Sequence, residues 1–233
     1  MNKLLESLKG GMIISCQAEG TDPFNKPEYI ALFAKAAEMG GACAIRTEGI
    51  AKLNAIKEIT SLPIIGLVKS NFDDGFVRIT GRYKDVEDLL DSRSDIIAID
   101  GTFRKREGLS GSEFINKIKM QYPDVVILAD VAKYEEAIAC QEAGADCIST
   151  TLSGYTPDTK NNHNGPDFGL IELLSNKLQV PLFAEGRINT PEEAKRAIKL
   201  GAYAVISGTA ITRPRVITQW FVQAVKNKQS KIY

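Results

Sequence analysis

Histidine is almost missing from this 233-residue chain, His163 being the only one. A zinc or iron centre built on imidazoles needs several, and a Ser-His-Asp triad would depend on one residue of a polar loop, so both chemistries are disfavoured. Net charge is missing too, with 29 Lys and Arg balancing 29 Asp and Glu. No global field then draws nucleic acid or an anionic membrane, and any anion site must be local. The four cysteines, Cys16, Cys43, Cys140 and Cys147, show no CxxC spacing. Three fall in or at the end of apolar runs, as reduced packing residues of a cytosolic protein do. No stretch approaches the roughly 20 apolar residues of a bilayer span, and no signal-peptide core opens the chain. A soluble, cytoplasmic protein is expected, with neither membrane nor nucleic acid among its partners. Also absent is a G-x-G-x-x-G turn after the first apolar run, which argues against an open dinucleotide-binding sheet.

What is present is repetition. Short apolar runs recur at GMIISC (11–16), ACAIR (42–46), PIIGLVK (63–69), DIIAID (95–100), VVILAD (125–130), DCIST (146–150), VPLFAE (180–185) and AYAVIS (202–207). They are apolar on both alternations, as strands buried on both faces of a parallel sheet are, and the segments between them are long enough for crossover helices. Thr190-Pro191-Glu192-Glu193 reads as an N-cap, a first-turn proline and a capping-box glutamate, while Gly40, Gly144 and Gly201 sit where helices should stop. EMGGACAI, EAGADCIS and KLGAYAVI repeat one order of helix end, glycine turn and strand. Eight such units in a chain this long predict the α/β class and a closed (β/α)8 TIM barrel of eight parallel strands with outer helices, residues 1–233 forming one catalytic domain. The tail KNKQSKIY reads as a solvated end.

In such a barrel the chemistry lies at the C-terminal face, so the residues that end the strands are the informative ones. They are Gln17, Arg46, Lys69, Asp100, Asp130, Thr150 with Thr151, Glu185 with Arg187, and Ser207 with Gly208. A convergent ring of this polarity is costly to desolvate without a ligand or mutual pairing. The loops after the last two strands, EGR and GTAITRP, have the layout of a phosphate cradle. Gly186 and Gly208 would let backbone N–H groups approach an anion, Thr209 begins a short turn whose dipole favours negative charge, and Arg187 and Arg213 could add bidentate contacts. Alternatively Arg213 is a surface charge flanking the last helix.

Lys69 ends an almost wholly apolar strand and so points an ammonium into the barrel mouth. It could be a base, a Schiff-base nucleophile or the partner of a carbanion oxygen. Only about one unperturbed lysine in two thousand is neutral at pH 7, so a base role asks for burial or a neighbouring cation such as Arg46. A Lys69–Glu185 ion pair that merely holds the rim is the alternative. The segment LSGYTPDTKNNHNGPDF suits a lid or specificity loop and contains His163. Arg104-Lys105-Arg106 stands alone, without interleaved aromatics, and reads as a solvated or substrate-facing loop.

The strings MIISCQA, GACAIRTEGI, PIIGLVK, DGTFRKR, ILADV, ISTTLSGYT, GPDF, FAEGRINTPEEA and GTAITRP, in order from the first strand to the last helix, resemble the N-acetylmannosamine-6-phosphate 2-epimerase family. They fall mainly on strand ends and loops, away from the packing positions all barrels share. SNFDDGFVRITGR departs from the pattern, as does Glu107, which stands where a proline is expected. The resemblance implies interconversion of N-acetylmannosamine 6-phosphate and N-acetylglucosamine 6-phosphate, the step that feeds scavenged sialic acid into amino-sugar metabolism, with no metal and no organic cofactor. It implies Lys69 as catalytic acid/base with Glu185 as its companion. Gln17, Arg46, Asp130 and Thr151 would contact the sugar, and Gly186, Arg187, Gly208, Thr209 and Arg213 would lie near the phosphate.

Inverting C2 without redox requires ring opening, removal of the proton α to the C1 aldehyde, and reprotonation on the opposite face through an enediolate. Its oxygen needs a donor or cation, for which Arg46, Lys69 and Gln17 are candidates. One lysine serves both faces only if the intermediate rotates or a substrate hydroxyl relays the proton; otherwise Glu185 is the second base. A Schiff-base aldolase using Lys69 and a silent sugar-phosphate sensor are the rival readings, whereas a metal-dependent pentose-phosphate epimerase would need more histidines. The last helix carries Ile217, Trp220, Phe221 and Val225, an apolar face that covers the barrel or seals a dimer. The resemblance tips this to a homodimer.

Overall fold

The computed structural model describes residues 2–160 and 165–229; His163 lies outside them. The chain opens with α1 (Lys3–Ser7) and β1 (Met12–Cys16), followed by α2 (Pro27–Met39), β2 (Ala44–Glu48), α3 (Ile50–Lys57) and β3 (Ile64–Leu67). A hairpin of β4 (Lys69–Asn71) and β5 (Val77–Ile79) interrupts the alternation before α4 (Tyr83–Asp91) and β6 (Ile96–Asp100). Then come α5 (Gly111–Gln121), β7 (Ile127–Asp130), α6 (Tyr134–Glu142), β8 (Cys147–Ser149), α7 (Phe168–Ser175), β9 (Leu182–Ala184), α8 (Pro191–Lys199), β10 (Ala204–Ser207), α9 (Thr209–Thr212) and α10 (Pro214–Gln229). Strands β1, β2, β3, β6, β7, β8, β9 and β10 close into a barrel in which every neighbouring pair is parallel. Each of the eight apolar runs overlaps one of them, β2 continuing two residues past its run to Glu48.

Closure explains why the runs are apolar at every position. Ile13, Ala44, Ile65, Ile96, Leu128, Cys147, Phe183 and Ile206 face one another inside the barrel, whereas Ile14, Ile45, Ile64, Ile97, Ile127, Ile148 and Val205 pack outward against the helices. Leu5 and Leu8, on and just after α1, join the inner layer and stop its lower end. Truncating a fully buried inner residue such as Phe183 to alanine would cost about 3–5 kcal/mol. Cys16, Cys140 and Cys147 are buried packing residues, and burial pushes the thiols of Cys16 and Cys140 up to about 12.

The helix punctuation acts as its residue types require. Glu193 N donates to Thr190 Oγ1 at 3.1 Å while Thr190 N donates to Glu193 Oε2 at 3.1 Å, with Pro191 at the first helical position. Gly40 closes α2 in a right-handed conformation and its neighbour Gly41 takes the positive φ. The hairpin was not apparent from the sequence, because its strands are three residues long and neither is continuously apolar. Tertiary contacts hold it instead: Arg78 is 2% exposed, stacks on Phe72 at 5.3 Å and donates to Lys105 O at 3.3 Å, and Ser70 Oγ donates to Asp85 Oδ2 at 2.7 Å.

Lys69 therefore does not end a barrel strand as expected. Strand β3 stops at Leu67, and Lys69 opens the hairpin above the mouth, paired with Ile79. The Arg104-Lys105-Arg106 cluster also divides three ways. Lys105 is solvated, Arg104 reaches the barrel mouth, and Arg106 is fully buried, donating to Thr102 O at 3.0 Å and Arg104 O at 2.7 Å. Glu107 adopts φ +44°, which proline cannot reach, and its carboxylate accepts from Tyr83 N at 3.1 Å at the start of α4.

Candidate active site

Side chains alternate along a strand, so the residue two positions above an inward-facing one also faces inward. Above Ile13 comes Ser15, above Ala44 Arg46, above Ala98 Asp100, above Leu128 Asp130, above Cys147 Ser149, and above Phe183 Glu185. The apolar interior thus turns polar at one level, where the strands reach the C-terminal face. A cavity of about 970 Å³ opens there, lined by Gln17, Arg46, Lys69, Thr151, Glu185, Gly186, Arg187, Gly208, Thr209 and Arg213 among others.

Four side chains form the floor. Arg46, 1% exposed, meets Asp130 through two bonds, Nη1 to Oδ1 at 3.1 Å and Nη2 to Oδ2 at 2.6 Å. Its Nη1 also lies 3.4 Å from Glu185 Oε2. Thr151 Oγ1 lies 2.6 Å from Asp130 Oδ1, 2.7 Å from Glu185 Oε2 and 2.8 Å from Ser149 Oγ. Asp130 is fully buried against Arg46 and is not among the residues that line the cavity. Strand β7 ends below the opening, and the Arg46 guanidinium covers its last carboxylate.

The floor holds one cation against two carboxylates. Burial pushes both Asp130 and Glu185 above the usual carboxylate range, against the pull of Arg46. Burial alone would lower Arg46, but the two carboxylates hold it above its ordinary value. Hydrogen placement agrees. A threonine hydroxyl has one hydrogen and cannot donate to both carboxylates, so contacts of 2.6 and 2.7 Å together call for a proton on one of them. Glu185 is the natural carrier, because Arg46 approaches it at 3.4 Å through one nitrogen while Asp130 has the bidentate partner.

The opposite end of the cavity is different. Of the lining cations, Arg46, Lys52 and Arg104 have carboxylates at 2.6, 2.9 and 2.6 Å, from Asp130, Glu48 and Asp100. Arg187 has none among the described residues: its Nε donates to Gly165 O at 2.8 Å and its guanidinium lies over the Tyr155 ring at 4.9 Å. Among the described residues Arg213 has only Glu19, at 3.8 Å, and its buried Nε finds no partner. Gly186 takes φ +106°, a conformation that favours glycine. A Cβ at Gly208 would lie 3.1 Å from Ser15 Cβ and Ser15 O, so a side chain there would crowd β1. Thr209 begins α9, whose first N–H groups have no intrahelical acceptor.

Lys69 ion-pairs with Glu19, not with Glu185. Glu19 and Lys52 were missed from sequence. Glu19 lies in the loop after β1, two residues beyond Gln17, and a scan extended that far would have found it. Lys52, on α3, donates to Glu48 Oε2 at 2.9 Å and to Ala18 O at 3.3 Å, and a helical pattern alone gives no sign that it reaches the cavity. Among the described residues no group of three His, Cys, Asp or Glu side chains is placed to hold a metal ion, and no helix is long and apolar enough to cross a membrane.

Residues 30–227 match the family model described as "Putative N-acetylmannosamine-6-phosphate epimerase". A protein of Caldanaerobacter subterraneus subsp. tengcongensis named as a 2-epimerase for that substrate is 46% identical over 97% of this chain and 95% of its own length. One from Clostridioides difficile with the same name is 44% identical over 96% and 99%. The solved N-acetylmannosamine-6-phosphate 2-epimerase from Clostridium perfringens superposes with a TM-score of 0.89 at 43% identity, covering 95% of this chain and 96% of that one. Thiamine phosphate pyrophosphorylase from Pyrococcus furiosus, at 18% identity and a TM-score of 0.60, shares the fold.

Proposed function

Since this chain belongs to the N-acetylmannosamine-6-phosphate epimerase family, we infer that it is an isomerase of amino-sugar metabolism that interconverts N-acetylmannosamine 6-phosphate and N-acetylglucosamine 6-phosphate. The observation that carries the reading to the site is the division of charge within one cavity: an internally paired floor at one end, and two arginines without close carboxylates at the other. An amino-sugar phosphate has the matching division, a reacting carbon at one end and a dianion at the other.

Arg187 and Arg213 take the phosphate, with the backbone of Gly186, Gly208 and Thr209 around it. The sugar then lies over Arg46, Gln17 and Thr151. After ring opening, the C2–H bond is weakened by the C1 aldehyde. Lys69, as the neutral amine, takes the proton; because C2 carries the acetamido nitrogen, the intermediate is an enolate with its oxygen on C1 and not the enediolate expected from the sequence, and a proton returns to the other face. Arg46 cannot lose its charge and stands beneath the oxygen that becomes negative. Asp130 fixes the plane of that guanidinium and is a positioning residue. Glu185, held by Thr151 and carrying the floor's extra proton, is the second acid/base group at the reacting end. The first experiment is a proton NMR time course with N-acetylmannosamine 6-phosphate in D2O. The gluco epimer should appear with deuterium at C2; no epimer at any enzyme concentration sinks the reading.

A homodimer completes the proposal. On α10, Phe221 is 70% and Val225 65% exposed, with Val222 and Trp220 also exposed, so this face does not cover its own barrel. Trp220 and Val216 of the same helix line the cavity. A second copy of the chain is the partner that buries this face. Sedimentation should give a dimer that Phe221→Glu with Val225→Glu converts to monomer; a monomeric parent protein refutes it.

A further inference from the structure

We propose that Glu19 is a positioning residue that ties down Lys69 in the free enzyme and is displaced when the substrate phosphate reaches Arg213. The proposal rests on the reading of the site given above and adds a reason for the phosphate that the chemistry at C2 does not itself supply.

Glu19 stands in the loop after β1, and Lys69 stands 50 residues later on the hairpin above the mouth. Their ion pair spans the entrance. The second oxygen of the same carboxylate faces Arg213 Nη1 at 3.8 Å, and Lys52 adds a third positive charge. Lys69 holds the Glu19 carboxyl below the usual range, with Arg213 and Lys52 adding to the effect. One carboxylate therefore answers the proton carrier and a phosphate-binding arginine together.

The bridge is weakly held on the phosphate side. The Glu19 side chain is 50% exposed, where ion pairs stabilise little. At 3.8 Å its contact with Arg213 is longer than a charge-assisted hydrogen bond, and the buried Arg213 Nε has no acceptor among the described residues. A phosphate dianion brings more charge and more acceptor oxygens than Glu19, and once seated it repels the carboxylate. Glu19 then leaves both cations, and Lys69, freed from the ion pair, gives its proton to solvent and turns to C2 as the neutral amine. Phosphate binding is thereby coupled to release of the lysine, and a sugar without phosphate leaves the bridge closed. The phosphate contributes to kcat as well as to KM.

The test measures C2 proton exchange in D2O with N-acetylmannosamine 6-phosphate, and with N-acetylmannosamine alone or with phosphite dianion added. For the parent enzyme, phosphite should raise kcat on the unphosphorylated sugar. Glu19→Gln should raise kcat on that sugar about tenfold without phosphite, the size of a common two-site coupling, and phosphite should add little further. Glu19→Asp should restore the phosphite response. Equal losses on both substrates in Glu19→Gln, or an unchanged phosphite response, would overturn the proposal while leaving the epimerase reading intact. A parent enzyme that exchanges no C2 proton of the phosphorylated sugar overturns both.

Discussion

The two ends of the cavity solve opposite problems. At the floor, Arg46, Asp130, Thr151 and Glu185 are tied by contacts of 2.6 to 3.4 Å, so that end is complete before any ligand arrives. At the far end, Arg187 leans on an aromatic ring and Arg213 reaches a half-exposed carboxylate at 3.8 Å. The difference teaches where each kind of group belongs. A group that must stabilise charge developing during a reaction has to be fixed in advance, because reorienting it then would raise the barrier. Groups that capture a charge already present on the ligand have to be left with bonding capacity to offer.

The comparison can be broken hardest at the carbon end. Lys69→Ala should lower kcat for C2 exchange by about 10³-fold, within the usual contribution of a general acid/base. Because Lys69 is partly exposed and tied only to an exposed glutamate, unfolding free energy should change by about 0.5 kcal/mol or less. Near-normal exchange in that variant would move the proton carrier elsewhere. Asp130→Asn tests the floor itself. It leaves Arg46 buried without its bidentate partner and should cost about 3 kcal/mol in denaturant unfolding, the low end for breaking a buried pair. A loss below 1 kcal/mol would mean that Arg46 finds another acceptor and that the floor is not preset.

Much of this was legible in the sequence because the barrel is buried on both faces. Strands such as Ile96–Asp100 must then be apolar at every position until they reach the mouth, so both the strands and the change to polar ends are written in the residue types. Three things were not. Whether a strand-end acid faces the cavity or lies beneath a neighbour depends on where each strand stops within the closed barrel, and this separates buried Asp130 from cavity-lining Glu185. The hairpin carrying Lys69 has strands too short for any periodicity and is held by the Phe72–Arg78 stack and the Asp85 carboxylate, contacts that only the folded chain creates. Arg106 is charged yet fully exchanged from water to backbone carbonyls and Asp100, an environment no local pattern announces.

At the phosphate end the effect should be smaller and of a different kind. Arg187→Ala removes one of two capturing cations but no group at C2, so KM should rise about 10- to 100-fold, as for loss of a charged hydrogen bond. The kcat should change far less than in Lys69→Ala. A kcat loss equal to that of Lys69→Ala would mean that Arg187 acts in the chemical step and that the two ends are not separable.

The finest distinction concerns the floor's extra proton. Burial raises Glu185 above its ordinary value of 4.5, with Asp130 adding to the shift and Arg46 opposing it. A carboxyl raised in the folded state binds its proton more tightly there than in the unfolded chain. Its stabilising contribution is complete below the unfolded value and is lost as pH rises through the folded one. The parent protein should therefore lose this contribution from about pH 4.5 upward. Glu185→Gln keeps a neutral donor facing Thr151, whose own hydrogen remains free for Asp130, so the variant should be nearly as stable as the parent at low pH and comparatively more stable as pH rises. The difference between the two unfolding curves reports the floor's carboxylate pair and cancels the titrating groups remote from it. Parallel curves would place the proton on Asp130, and the acid at the reacting end would then lie beneath Arg46, out of reach of the sugar.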